Sequence, residues 1–420
     1  MLLGALALWN AASYPVGAGY DAPSHMEYAD FLVDHHRIPH RNETPEYYSP
    51  PGYYTVAGVV TWIGRKAGMG EPHKLGQLLN VPIMVAAGIV LLRLARLLWP
   101  RRRWLPVAAL AFFVACPVVL RVASMFQPEP LDLLLSVLAL YLAARMLVEQ
   151  RFSWRDAGLL GLVLGAGELV RQFSLWTFAV VIAAFLLAAA SSRELRRPTM
   201  AALAMAVAVT ALIAGPWYVY RSLEYGNAVF DRPHPSTPLW DRRPASFYIG
   251  TGWPEVLTHS YRPNFKNRVW PQTYSDIWGD WYGVFAWPAR ERVAPSTPTR
   301  TWLGVQQLLG LLPTLLAIGG WLTLLVLSLV RRDAPRLLPS LLPLAGLVGF
   351  FYFTVSYPTR DGDVIKPLYL LTTAPAWALC FAWAVDRLGS RSRGRAVVIV
   401  LACVGVLVLP FLPYRGALGR

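Results

Sequence analysis

Long apolar runs alternate with short polar connections along nearly all of the 420 residues. Apolar stretches of about 18 residues or more mark helices that cross a bilayer. Such runs fall near residues 2–18, 75–98, 104–122, 131–148, 157–171, 173–190, 199–220, 302–330, 337–356, 367–386 and 396–413. Inside hydrocarbon the backbone N–H and C=O groups must pair with one another, so only helices or a closed barrel can span. The two-residue alternation of barrel strands is absent from these runs. The pattern predicts an all-α polytopic membrane protein of about eleven transmembrane helices, a single transmembrane domain over 1–420. No repeat of fixed period and no low-complexity tract interrupts it. The first run has no basic start and no small-residue cleavage pattern, and so reads as a helix rather than a cleaved signal.

Orientation follows from the connections. Five are Arg-rich: Arg101 to Arg103, Arg151 with Arg155, Arg193 with Arg196 and Arg197, Arg331 and Arg332 with Arg336, and Arg387 with Arg391, Arg393 and Arg395. Basic loops stay in the cytoplasm, and all five alternate correctly with the remaining connections. On the opposite face two connections stand out by length, a first outer loop over 19–74 and a second over 221–300 between spans seven and eight. The expected location is a bacterial cell membrane, with both large loops outside the cytoplasm.

Composition sharpens this picture. Charged residues make up 15% of the chain, against roughly 25% in soluble domains. The net charge of +15 is spread over short loops, which fits membrane orientation and excludes a nucleic-acid interface. Only four of the 39 basic residues are lysine, so a lysine beside the candidate chemistry is notable. Cys116, Cys380 and Cys403 fall in apolar runs and offer neither metal spacing nor a disulfide framework. No P-loop or dinucleotide glycine fingerprint is present.

The first outer loop carries the densest chemistry. Asp21 stands where the first run ends, and Pro23 suits the first turn of a new helix. That helix is expected on the membrane surface, with Met26, Phe31, Leu32 and Val33 toward lipid and Glu27, Asp30 and Asp34 toward water. Spacing leaves two roles open for Asp21: a helix cap, or a carboxylate meeting lipid-borne and aqueous reactants. The segment Glu46-Tyr47-Tyr48-Ser49-Pro50-Pro51-Gly52-Tyr53-Tyr54 follows, its diproline breaking any helix and its tyrosines suited to the headgroup level. Residues 55–64 are apolar but too few to cross, and read as an interfacial helix. His25, His35, His36 and His40 crowd the loop, but their spacing matches no metal signature. No cofactor is assigned, and a divalent metal has no support beyond this crowding.

An Asp after the first span, a short surface helix, and an aromatic-Pro-Pro-x-Tyr-Tyr segment resemble the GT-C superfamily of glycosyltransferases. The likeness is to the protein O-mannosyltransferase and lipid A aminoarabinose transferase branch. It rests on motifs over roughly residues 1–200, then on topology and the segment Asp361-Gly362-Asp363-Val364-Ile365-Lys366-Pro367. It implies transfer of a sugar from a polyprenyl-phosphate carrier to a lipid, glycan or protein acceptor outside the cytoplasm, with no nucleotide site. Two positions depart from the family pattern: Ala22 replaces a second acid after Asp21, and Ser49 replaces a basic residue before the diproline.

On this reading Asp21 is the catalytic base and Glu129, in Gln127-Pro128-Glu129-Pro130, assists it. Arg171, Lys366, Arg262 and Arg268 are expected to hold the lipid phosphate, with Arg360 a neighbouring candidate. His25 and Tyr48 are further expected substrate contacts. Asp132 lies just inside its span and is a functional candidate for that reason. Glu168 is expected to pair with Arg171. The segment from Tyr261 to Tyr282, rich in Trp and Tyr, suits either sugar contact or an interfacial lid. A flippase or transporter for lipid-linked saccharide and a non-catalytic envelope assembly protein are the alternatives. Acids gathered at one rim, in a chain whose halves look unlike, favour the enzyme.

Overall fold

The computed structural model describes residues 1–229, 238, 241–284, 294–357, 364–389 and 397. The expected eleventh span at 396–413 apart from residue 397, Arg391, Arg393 and Arg395, and residues 360–363 therefore lie outside the described residues. Among the described residues there is no strand. The helices are α1 (Leu2–Ser13), α2 (Ala22–His35), α3 (Gly52–Lys66), α4 (His73–Leu98), α5 (Leu105–Ala115), α6 (Pro117–Val122), α7 (Glu129–Glu149) and α8 (Trp154–Val170). They continue with α9 (Ser174–Ser191), α10 (Arg193–Tyr225), α11 (Ala245–Ile249), α12 (Val269–Trp278), α13 (Thr297–Val330), α14 (Ala334–Ser356) and α15 (Ala374–Gly389).

Seven segments among the described residues are long and apolar enough to cross a membrane: α4, α7, α9, α10, α13, α14, and Pro367–Leu388, where a 3-10 turn runs into α15. The chain is a polytopic helical membrane protein. Helices α1, α5 and α8 occupy the other expected spans but are shorter, and local sequence explains two of them. Helix α1 stops at Ser13, just ahead of Tyr14-Pro15, because a residue preceding proline is driven out of the helical region. The same rule divides the expected span 104–122. Cys116 precedes Pro117 and is extended, with φ −72° and ψ 113°, so α5 ends and α6 begins.

Helix α13 shows how the bundle meets lipid. Leu308, Leu312, Leu315, Ile318, Leu322, Val326 and Leu329 recur every three or four residues and are all exposed. That is one face of a helix, apolar from end to end. In water so large a patch invites association; against hydrocarbon it is the expected surface. The opposite face buries Gly310, Ala317, Gly320 and Leu324. A Cβ on Gly320 would lie 2.0 Å from the Cys380 carbonyl oxygen, so α13 and α15 touch backbone to backbone there. Gly320→Leu is expected to cost about 1–3 kcal/mol through overpacking, read as a lower thermal midpoint in detergent. Gly319→Leu should leave that midpoint unchanged, since a Cβ there meets nothing within 4 Å.

The first loop packs onto the bundle, through α3 against α4 and α8. Helix α2 buries Ala22, His25, Tyr28 and Ala29 and packs them against Tyr53, Tyr54 and Ala57 of α3. Met26 and Leu32 are only partly buried at the edge of this cluster. Gly58 permits the contact, because a Cβ there would stand 2.6 Å from the Ala29 carbonyl oxygen. Asp30 and Asp34 both pair with Arg65, and Asp30 also meets His73 at 2.9 Å. These ion pairs and the aromatic cluster fix α2 against α3 and α4.

The second long loop is shorter than its sequence limits. Helix α10 continues to Tyr225 and ends where Gly226 takes φ 74°. Glycine adopts that left-handed conformation without strain. Helix α13 begins at Thr297, capped by the Ser296 side chain. The loop is thus 226–296, and Arg221, its expected first residue, belongs to a helix.

Candidate active site

A cavity of about 430 Å3 opens at one end of the bundle. The C-terminal ends of α8, α10 and α14 and the start of Pro367–Leu388 meet there, beneath the first loop. Its walls include Asp21, Glu46, Tyr48, Arg171, Arg221 and Lys366.

Asp21 occupies the position preceding α2 with φ 56° and ψ 19°. Aspartate is among the few residues that tolerate this left-handed conformation. Its carboxylate makes no cap hydrogen bond, which removes the cap reading. Instead it accepts a hydrogen bond from Lys366 Nζ in an ion pair joining chain positions 345 residues apart. Lys366 can reach because it is extended, with φ −108° and ψ 118°. Its place before Pro367 favours that conformation. The Asp21 side chain is 45% exposed and that of Lys366 11%. Burial works against ionisation of Asp21, but the Lys366 ammonium overcomes it and holds the carboxyl below the usual carboxylate range. Burial also works against the Lys366 charge, and Tyr369 and Asp21 outweigh it, so its pKa is raised. Both partners are charged at neutral pH.

Arg171 forms the far wall. It ends α8 in an extended conformation, φ −151° and ψ 139°, which turns its side chain off the α8 surface toward the start of α7. There its guanidinium pairs with Glu129 at 2.7 Å and donates to Ser49 Oγ at 3.2 Å. The expected Glu168–Arg171 pair is therefore not formed; Glu168 accepts from the Tyr218 hydroxyl at 2.6 Å. Glu129 is 1% exposed behind Arg171, pairs with it and does not line the cavity.

The other expected contacts divide. Tyr48 lines the cavity. His25 is buried behind the wall, its Nδ1 2.9 Å from the Tyr54 hydroxyl and 3.9 Å from Glu46, and does not line it. Burial pushes the His25 pKa down despite the Glu46 carboxylate, so the ring is neutral at neutral pH. Arg262 and Arg268 are absent from the cavity walls. The Arg262 guanidinium lies over the rings of Trp281 and Tyr282, at 5.9 and 5.6 Å, and Arg268 precedes α12 against Gly250. Both serve the folding of the long loop. The loop histidines do not converge: His40 meets Glu224 at 2.8 Å, and among the described residues no group of three or more His, Cys, Asp or Glu side chains could hold a metal ion. Asp132 accepts from Ser174 and, at 2.6 Å, from Thr372, tying α7 to α9 and the 3-10 turn.

Sequence reasoning missed Glu46 and Arg221 as cavity residues. Glu46 accepts from Ser49 Oγ at 2.7 Å and from the Tyr48 hydroxyl at 3.4 Å. Arg221 shares a buried face of α10 with Trp217 and Tyr225, a spacing of four that would have extended the span by a turn.

No protein-family model matches the chain, and no curated sequence does. Solved structures do share its fold. ArnT from Cupriavidus metallidurans, bound to undecaprenyl phosphate, aligns with a TM-score of 0.55 at 15% identity over 94% of this chain and 61% of its own. An oligosaccharyltransferase from Archaeoglobus fulgidus, in complex with zinc and sulfate, aligns with a TM-score of 0.59 at 14% identity over 100% of this chain and 53% of its own. The chain therefore spans between half and two thirds of the length of these structures. The chain thus shares the helical fold of these two structures.

Proposed function

We propose that this protein is a GT-C type glycosyltransferase that takes a sugar from a polyprenyl-phosphate carrier at this cavity. The observation that carries the reading is the Asp21–Lys366 pair, a carboxylate joined to an ammonium in the wall of a cavity that also presents Arg171. The basic connections around residues 101–103, 151–155, 193–197 and 331–336 join the opposite helix ends, so the cavity faces away from the cytoplasm. A bacterial cell membrane supplies both that topology and the carrier.

The carrier phosphate enters beside Lys366 and Arg171, and competes with Asp21 for the ammonium. Release of Lys366 raises the basicity of the Asp21 carboxylate when a substrate is in place. Asp21 then takes the proton of the acceptor hydroxyl as its oxygen bonds to the anomeric carbon. The bond from that carbon to the phosphate oxygen breaks, and polyprenyl phosphate leaves with the electron pair, its charge met by Lys366 and Arg171. One displacement inverts the anomeric centre. Glu129 holds the Arg171 guanidinium in place, and Tyr48 and Glu46 offer a hydroxyl and a carboxylate to sugar or acceptor hydroxyls.

The test is incubation of the purified protein in lipid nanodiscs with a panel of radiolabelled polyprenyl-phosphate sugars and a membrane extract as acceptor source. Label moved from one carrier to an acceptor supports the reading. Carrier-linked sugar that only crosses a liposome bilayer, with no bond cleaved, would instead identify a flippase.

A further inference from the structure

Tyr20 and Ile365 directly precede Asp21 and Lys366 in sequence, and both are buried, at 4% and 0% exposure. One small segment of the long loop holds both. The Tyr20 hydroxyl donates to Asp276 Oδ2 on α12, and Asp276 Oδ1 accepts the backbone N–H of Tyr282 at 3.3 Å. The Tyr282 hydroxyl in turn donates to the Ile365 carbonyl at 3.2 Å. Gln272 Nε2 reaches that hydroxyl at 3.2 Å and that carbonyl at 3.4 Å. The rings of Tyr20 and Tyr282 meet edge to face, 5.4 Å apart. The path Asp21, Tyr20, Asp276, Tyr282, Ile365, Lys366 thus closes on itself through the Asp21–Lys366 ion pair. Helix α12 is itself pinned to the bundle: Arg121 on α6 donates to the carbonyls of Asp276 and Gly279 and lies 3.5 Å from Asp280.

An ion pair with one partner nearly half exposed fixes little geometry by itself. The rest of the ring is buried, where hydrogen-bonding groups are costly to leave unpaired. We propose that Asp276 and Tyr282 are positioning residues that set the spacing of Asp21 and Lys366, so that docking of the long loop through α12 assembles the reactive pair. This rests on reading that pair as base and phosphate ligand.

Breaking the ring lets Lys366 withdraw from Asp21. The other charged or titratable groups around Asp21 and the cavity include His25 on α2, Glu46 and Tyr48 in the first loop, Arg171 at the end of α8, Arg221 on α10, and Tyr369 after Lys366. With His25 neutral, the cations left in that set are Arg171, already paired with Glu129, and Arg221. Without the Lys366 ammonium beside it, the Asp21 carboxyl rises from its lowered position. Activity that needs ionised Asp21 is then lost at higher pH than in the parent.

Tyr20→Phe and Tyr282→Phe each remove one hydroxyl and keep the ring volume. In the full chain each should lower kcat about tenfold, change KM less than about threefold, and move the acid limb of the pH profile upward. The double variant should be no more than about threefold below the worse single one, because a ring already open loses little when cut again. Single variants with parental kcat and an unmoved acid limb, or effects that simply multiply, would overturn the proposal. A second readout needs no turnover: with only four lysines in the chain, acylation of Lys366 by an amine-reactive probe can be followed by peptide mass spectrometry. At mildly alkaline pH both variants should acylate Lys366 faster than the parent; equal rates would overturn the proposal. Unimpaired transfer by Asp21→Asn would overturn the reading of the site instead, while the lysine labelling still decides whether the ring sets the pair.

Discussion

Asp21→Asn is expected to reduce sugar transfer by about 10²–10⁴-fold, the contribution of a positioned general base. The effect should fall on kcat, with the donor KM little changed, since the amide keeps the size of the carboxylate and loses only its ability to take a proton. Stability should hardly move. The Asp21 side chain is 45% exposed and caps no helix, and the asparagine side-chain carbonyl can still accept from the Lys366 ammonium, so no buried group is left without a partner. Steady-state transfer with the variant in nanodiscs, alongside its thermal midpoint, separates loss of chemistry from loss of fold.

Lys366→Met is expected to lower transfer by about 10²–10³-fold, through loss of a donor aimed at the leaving phosphate. Methionine keeps most of the apolar stem that packs in the wall. This variant also carries a signed pH prediction. In the parent, Lys366 holds Asp21 below the ordinary carboxylate range, so activity should persist to low pH on the acid side. Without the ammonium, burial is opposed only by more distant cations, the neutral carboxyl gains, and the acid limb of kcat/KM should move upward. An acid limb that stays in place would show that the two side chains do not sense each other.

Much of the fold can be read from hydropathy because lipid imposes a simple rule. A run such as 302–330 must be helical, and only its limits shift, here to Thr297–Val330. The break at Cys116 is also written in the sequence, as a residue before proline within an apolar run. What sequence does not supply is contact. Asp21 and Lys366 are each identifiable, one by its place after the first run and the other as a rare lysine, but nothing local joins residues so far apart. Glu129 and Arg171 both stand out, yet spacing gives the arginine to Glu168, three residues away on the same helix. An extended C-terminal residue overrides that neighbour and sends the guanidinium to α7. Arg262 and Arg268 look like phosphate ligands in a loop read as a string, but in the folded loop the rings of Trp281 and Tyr282 claim Arg262. The packed face of α2 is not marked by hydropathy either. It carries His25 and Tyr28, whose polar atoms find partners in the loop and α3 that only the fold supplies.

On this mechanism a lipid phosphate displaces Asp21 from Lys366 in the cavity. A structure of the protein with polyprenyl phosphate bound in nanodiscs tests it most directly. The predicted result is a phosphate oxygen within hydrogen-bonding reach of Lys366 Nζ, Arg171 close by, and the Asp21 carboxylate released into the cavity. Phosphate bound at another part of the bundle, with the Asp21–Lys366 pair intact, would contradict the account.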